Sequence, residues 1–195
     1  MRVFLAVPAD PPWVESAREL VTRLKPTLPR ASWTRPEAWH LTLAFLGEID
    51  AKTTDDFAAA MSPSFPAAAG GELTETVAVL FPPRGRPRVL GIGFQGSAVL
   101  ESLRRLADAA GAAARVLGIP FRNRAFHPHV TLARVRDPWP KEPVEKFRTE
   151  AQAWPFPPWL VRSCVLYGSR LDPAGAVHTP LRQWELGVRH PEVGA

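Results

Sequence analysis

The chain has 195 residues, a formal net charge of +5 and 46% apolar residues, enough for one domain core or for two small lobes sharing an interface. No long charge-free apolar run is present to span a membrane, and a lone cysteine, Cys164, excludes an intramolecular disulfide and fits a reducing cytoplasm. Arginine outnumbers lysine twenty to four, and guanidinium groups hold phosphate well, but Ala, Pro and Gly are abundant alongside it, so composition alone says little about function.

Residues 2–7 read as a strand rather than a signal peptide, because Pro8, Pro11 and Pro12 follow at once. Asp10 is placed to cap a helix that carries Ala17, Leu20, Val21 and Leu24 and stops before Pro26. A short strand over 31–34 precedes a longer one over 39–46, closed by Gly47. Thr53 or Thr54 is the expected cap of a second helix with Phe57, Ala60 and Met61 on its inner face. The Pro/Ala/Gly-rich stretch 63–71 reads as a loop. Residues 73–80 and 89–94 read as strands around a basic turn containing Arg84, Arg86 and Arg88. Ser97 caps a long helix bearing Leu100, Leu103, Leu106, Ala110 and Leu117, with Gly118 as its stop. Beyond Pro120 comes a strand reaching about Val135, then a helix with Val144, Phe147 and Ala151. Strands over 159–167 and 177–186 follow, with 189–195 as a frayed tail. Short connections favour antiparallel neighbours. The expected fold is α+β and bilobal: residues 1–188 form a single domain of two related lobes, each an antiparallel sheet backed by helices, meeting at a central cleft.

One repeat stands out. His40-Leu41-Thr42-Leu43-Ala44 recurs 89 residues later as His129-Val130-Thr131-Leu132-Ala133. In a strand, residues i and i+2 share a face, so each segment offers an imidazole and a hydroxyl on one side and aliphatic side chains on the other. Two such strands facing each other place a proton donor and a proton acceptor around one atom. Cleavage of a phosphodiester or cyclic phosphate needs that pair, with hydroxyl donors for the non-bridging oxygens.

The paired motifs resemble those of the 2H phosphoesterase superfamily, specifically the LigT-like RNA 2′,3′-cyclic phosphodiesterases, also known as the 2′-5′ RNA ligase family. The resemblance spans nearly the whole chain, through residues 2–7, 39–47, 86–90, 126–134 and 169–173. It implies metal-independent hydrolysis of an RNA 2′,3′-cyclic phosphate end to a 2′-phosphate, with reverse 2′-5′ joining as a companion reaction. By motif, His40 is the acid that protonates the departing 3′-oxygen and His129 the base that activates water, while Thr42 and Thr131 bind phosphate. The direction of that acid/base assignment comes from the resemblance, since the two motifs are nearly symmetric. Arg134 matches the arginine used beside the second motif. Plain alternation, however, puts 134 opposite 129 and 131, so a bulge is needed to turn it into the cleft.

The other candidates weigh less. His127 shares a side with His129, but no Asp, Glu or Cys lies near either motif to complete a zinc site, so neither metal nor cofactor is expected. His178 stands where relatives often carry an aromatic residue. Phe45 alternates away from His40 and Thr42 and reads as core. Trp33, Trp39 and Phe126 flank the motifs, and core packing is the better reading than base stacking. Arg84, Arg86 and Arg88, with Arg122 and Arg124, form either an approach for an RNA backbone or simply a solvated turn. Gly91-Ile92-Gly93 lacks the rest of a phosphate-cradling fingerprint. A monomer is expected, since heptads are absent. The alternatives to RNA-end hydrolysis are a non-catalytic RNA-end-binding module and a phosphodiesterase acting on a small cyclic nucleotide.

Overall fold

The computed structural model describes residues 1–121, 125–172 and 175–188. The expectations for Arg122, Arg124 and the 189–195 tail lie outside the described residues. The elements in chain order are β1 (Arg2–Pro8), α1 (Pro11–Leu24), β2 (Ser32–Trp33), β3 (His40–Glu48), α2 (Ala51–Met61), β4 (Ala69–Leu73), β5 (Glu75–Phe81) and β6 (Val89–Gln95). They continue with α3 (Ala98–Val116), β7 (His129–Arg134), α4 (Lys141–Ala153), β8 (Trp159–Val161), β9 (Ser163–Asp172), β10 (Gly175–Glu185) and β11 (Gly187–Val188).

Two four-stranded antiparallel sheets carry the fold, in the orders β10-β9-β1-β3 and β2-β7-β6-β5; β11-β4-β8 forms a small third sheet. The α+β class and the paired lobes agree with the sequence reading. The lobes are not consecutive halves of the chain, however. β2 leaves the N-terminal half to pair with β7, while β9 and β10 return from the C-terminus to extend the first sheet.

The helices cross over in the same reciprocal way. α3, which follows β6 of the second sheet, packs on β3 of the first, with α2 beside it. α1 follows β1 of the first sheet, yet its Trp13 packs on Phe94 of β6 at 6.0 Å and on Trp159 at 5.1 Å. α1 lies along α4 through Arg23–Glu150 at 3.0 Å and through Trp154 Nε1, which donates to Ser16 Oγ at 2.9 Å. Neither half of the chain can therefore bury its own sheet without the other, and one continuous core results.

Local signals explain most boundaries. Ser97 Oγ accepts from Leu100 N at 3.2 Å to start α3, and Gly118 takes φ +67° after its last turn, where a residue with a Cβ is strained. The cap of α2 is Asp50 rather than Thr53 or Thr54: its carboxylate accepts from Thr53 N at 2.7 Å, while Thr54 Oγ1 donates to the Asp50 carbonyl at 2.7 Å. The buried face of α2 carries Ala58, not Ala60, beside Phe57 and Met61. The 63–71 stretch is only partly a loop, because residues 69–71 belong to β4. A Cβ on Gly70 would sit 2.5 Å from the Val161 carbonyl, so glycine there permits close strand approach rather than a turn. The second motif strand begins at His129, later than the hydrophobic pattern indicated.

Candidate active site

The two motif strands, β3 and β7, lie side by side where the large sheets meet. Each carries the same irregularity. Along β1, Ala6 pairs with Thr42 and Leu5 with Ala44, so Leu43 is an extra residue on β3. Along β6, Gly91 pairs with Thr131 and Leu90 with Ala133, so Leu132 is an extra residue on β7. In both strands the two successive residues of the bulge, Leu43-Ala44 and Leu132-Ala133, are buried. A bulge of this kind resets the alternation, so the face showing His-x-Thr before it shows the fifth residue after the histidine beyond it. Those residues are Phe45 and Arg134, and both are exposed.

The bulge that Arg134 required is thus present, and the guanidinium lies within electrostatic reach of both His40 and His129. The same device overturns the core reading of Phe45, which is 63% exposed and packs on Phe4 at 5.7 Å.

The two imidazoles are held identically. His40 Nδ1 lies 2.8 Å from the carbonyl of Ala38, two residues back, and His129 Nδ1 lies 2.7 Å from the carbonyl of His127, again two residues back. A carbonyl only accepts, so each Nδ1 carries the proton and each Nε2 is left with a free lone pair. The Thr42 and Thr131 hydroxyls share the face of their histidines and form no hydrogen bond among the described residues.

Aromatic rings pack beside both imidazoles. Phe4 lies 4.7 Å from His40 and Phe81 lies 4.8 Å from His129. The His40 side is more enclosed. His178 stands edge-on to it at 5.2 Å, Tyr167 lies 6.5 Å away, and the His178 Nδ1 is buried with no hydrogen-bond partner among the described residues. Desolvation in this enclosure, opposed by the Ala38 hydrogen bond, pushes His40 down to about 4, with His178, His129 and Arg134 adding repulsion. His129 is lowered for the same first reason, burial, with His127 and Arg134 contributing. Both imidazoles are therefore neutral at pH 7.

Phe4, Tyr167 and Phe81 escaped the sequence reading. They sit on other strands of the two sheets, and only the register brings them to the motifs: Phe4 pairs with both Phe45 and Tyr167. Trp39 is buried beside Trp13, and Trp33 packs against the core, as the core reading of both required. Phe126 lies away from the histidines, lining a cleft with Leu43 and helix α3, under the Arg104 guanidinium at 6.0 Å. His127 contributes its carbonyl to His129 while its own ring is exposed, 5.9 Å from Phe81. Among the described residues no three His, Cys, Asp or Glu side chains gather into a metal-holding group, and no helix is long and apolar enough to cross a membrane.

The chain is also similar to known proteins. The chain matches the family described as LigT like Phosphoesterase over residues 7–90 and 96–178, one stretch for each motif. A Thermus thermophilus protein named RNA 2′,3′-cyclic phosphodiesterase is 32% identical over 207 residues, covering 97% of this chain and 92% of that protein. One of the same name from Archaeoglobus fulgidus is 30% identical, covering 95% of this chain and all of that one. Among solved structures, one from Thermus thermophilus superposes with a TM-score of 0.74 at 29% identity, over 97% of this chain and 100% of that one. E. coli LigT in complex with 3′-AMP superposes with a TM-score of 0.70 at 24% identity, over 95% of this chain and 97% of that one, a likeness of fold.

Proposed function

The chain belongs to the LigT-like phosphoesterase family, and on that footing we propose that it hydrolyses the 2′,3′-cyclic phosphate at the end of an RNA strand to a 2′-phosphate. The observation that carries this reading is the pair of imidazoles held through Nδ1 by their own backbone, each with a free Nε2. The names of the relatives, all RNA 2′,3′-cyclic phosphodiesterases, supply the substrate class.

In this reading His129 Nε2 takes a proton from water as the water oxygen bonds to phosphorus. His40 Nε2, protonated, gives its proton to O3′ as the P–O3′ bond breaks. The hydroxyls of Thr42 and Thr131 and the guanidinium of Arg134 hold the non-bridging oxygens, whose charge grows in the transition state. Burial keeps both histidines neutral at pH 7, so the negative phosphate itself raises their affinity for a proton and charges the acid on binding. With a 5′-hydroxyl in place of water as the attacking group, the same displacement forms P–O5′, breaks P–O3′ and joins RNA ends through a 2′-5′ linkage. Residues 1–188 act as one bilobal unit, a monomer in a reducing cytoplasm, without metal.

The test is incubation of the purified protein, with EDTA present, with an oligoribonucleotide ending in 2′,3′-cyclic phosphate, resolving 2′- from 3′-phosphate products. The 2′-phosphate alone is expected. Retained binding with no product would leave an RNA-end-binding module. Faster turnover of a cyclic mononucleotide than of the oligonucleotide would make the substrate a small nucleotide.

A further inference from the structure

The outer end of the second sheet holds arginines that form no ion pair among the described residues. Three helix arginines are paired with a glutamate one turn back: Arg18 with Glu15 at 3.5 Å, Arg104 with Glu101 at 3.5 Å and Arg148 with Glu145 at 2.9 Å. Arg30, Arg134 and Arg136 have no such partner among the described residues, and all three are exposed.

Register puts these three together. Ser32 of β2 pairs directly with Arg134 of β7, so Arg30 and Arg136, each two residues beyond a paired position, flank the outer end of the strand pair next to Arg134. Between them opens a cleft of about 300 Å³ lined by Arg30, Ala31, Ser32, Arg136 and Asp137. Its wall is fixed by Trp139, whose buried indole Nε1 donates to the Arg30 carbonyl at 3.3 Å. Two guanidiniums and a hydroxyl face one carboxylate, Asp137, which leaves a net positive cleft.

Arg136 lies seven residues beyond His129. That is about 20 Å at the rise of a β-strand, or a few nucleotides of extended chain. We infer that this cleft is a phosphodiester-binding subsite for the RNA strand upstream of the terminal cyclic phosphate, and that it makes the protein prefer oligonucleotide ends to mononucleotides. The inference rests on the RNA-end reading above. Guanidinium forks suit single phosphodiesters bidentately, and a backbone contact of this kind is independent of sequence.

The experiment compares the protein with its Arg30→Ala/Arg136→Ala variant on two substrates, a decaribonucleotide ending in 2′,3′-cyclic phosphate and a 2′,3′-cyclic mononucleotide. The expected result is a KM for the decamer raised about tenfold, with the slope of log(kcat/KM) against log salt reduced by roughly 1.4, two contacts at about 0.7 each on a single strand. Turnover of the mononucleotide stays unchanged, which also shows that the variant folds. Equal losses on both substrates, or no loss on either, would overturn the subsite. If neither substrate is turned over by the unmodified protein, the catalytic reading fails by itself. The subsite is then judged by fluorescence anisotropy with a 3′-phosphorylated decamer: an affinity equal in protein and variant overturns it. In the unmodified protein, a kcat/KM for the decamer no more salt-dependent than that for the mononucleotide overturns it too.

Discussion

Phe45 and Arg134 occupy equivalent positions, each five residues beyond a motif histidine and each turned to the cleft by the same one-residue bulge. The site is otherwise close to two-fold symmetric in its histidines, threonines and ring-to-carbonyl hydrogen bonds. An aromatic ring on one side and a guanidinium on the other break that symmetry. On the function proposed above, a nucleoside with a base to stack and a phosphate to clamp would lie in one direction, which would set which imidazole meets the leaving oxygen.

Phe45→Ala and Arg134→Ala are therefore expected to fail differently. Phe45 is largely exposed, so its loss leaves thermal stability within about 0.5 kcal/mol but raises KM for substrates with a base, at about 1–3 kcal/mol per stacked base. Arg134→Ala lowers kcat by about a hundredfold, as for loss of one transition-state donor. Arg134→Lys, lacking the fork, recovers only part of it. Steady-state kinetics of the three variants check this; equal effects on KM and kcat for both positions would contradict it.

The pH profile follows from the two lowered histidines. The free enzyme is active with one proton shared by the pair, and kcat/KM reports the free-enzyme values. Because both pKa values lie below 6.5, with His40 at about 4, kcat/KM peaks between them, on the acid side of pH 6.5, and is already falling as pH rises through 6.5. Bound phosphate raises both values, so kcat peaks at higher pH than kcat/KM. A kcat/KM optimum above pH 7.5 would contradict the burial argument.

Stability is linked to the same group. The folded His40 pKa lies below the unfolded one, so the stabilisation is fully present above pH 6.5. It is lost as pH falls toward 4, because the unfolded chain takes up the proton that the enclosed ring refuses. The change is at most roughly 3 kcal/mol. Urea unfolding at pH 7 and pH 4.5 should show it, and His40→Gln should flatten much of the dependence.

The repeated motif, the alternating strands and the caps at Ser97 and Gly118 were legible in the sequence, because they depend on residues a few places apart. The bulges were not. Leu43-Ala44 and Leu132-Ala133 read as ordinary alternation until their partners Leu5-Ala6 and Leu90-Gly91 are known, and partner identity is a long-range fact. The same holds for Phe4, Tyr167 and Phe81, which reach the imidazoles only through register. It holds too for the interleaving of the lobes, since nothing in β2 announces that it will pair with β7.

Gly91 shows how little slack the second motif has. A Cβ there would lie 2.2 Å from the Val130 carbonyl, a backbone atom that must move, whereas at Gly93 the nearest clash is with a Val79 methyl at 2.6 Å. Gly91→Ala is expected to cost about 1–3 kcal/mol and to reduce turnover by displacing Thr131 and His129. Gly93→Ala costs less, because a side chain can yield. Chemical denaturation of both variants, ranked in the opposite order, would refute this.

Thr42→Val and Thr131→Val keep the side-chain shape while removing a hydroxyl that no protein group uses among the described residues. Folding stability should stay within about 1 kcal/mol, and kcat should fall about tenfold to a hundredfold in each. A variant that keeps full turnover would remove its threonine from the phosphate site.

The most direct measurement of the central claim is kcat for His40→Ala, His129→Ala and the double variant on one cyclic-phosphate oligonucleotide. If the two imidazoles act together on a single phosphorus centre, each single change lowers kcat by about a thousandfold or more, and the double variant is little worse than either. A single variant retaining a tenth or more of the activity, or losses that multiply in the double variant, would contradict it.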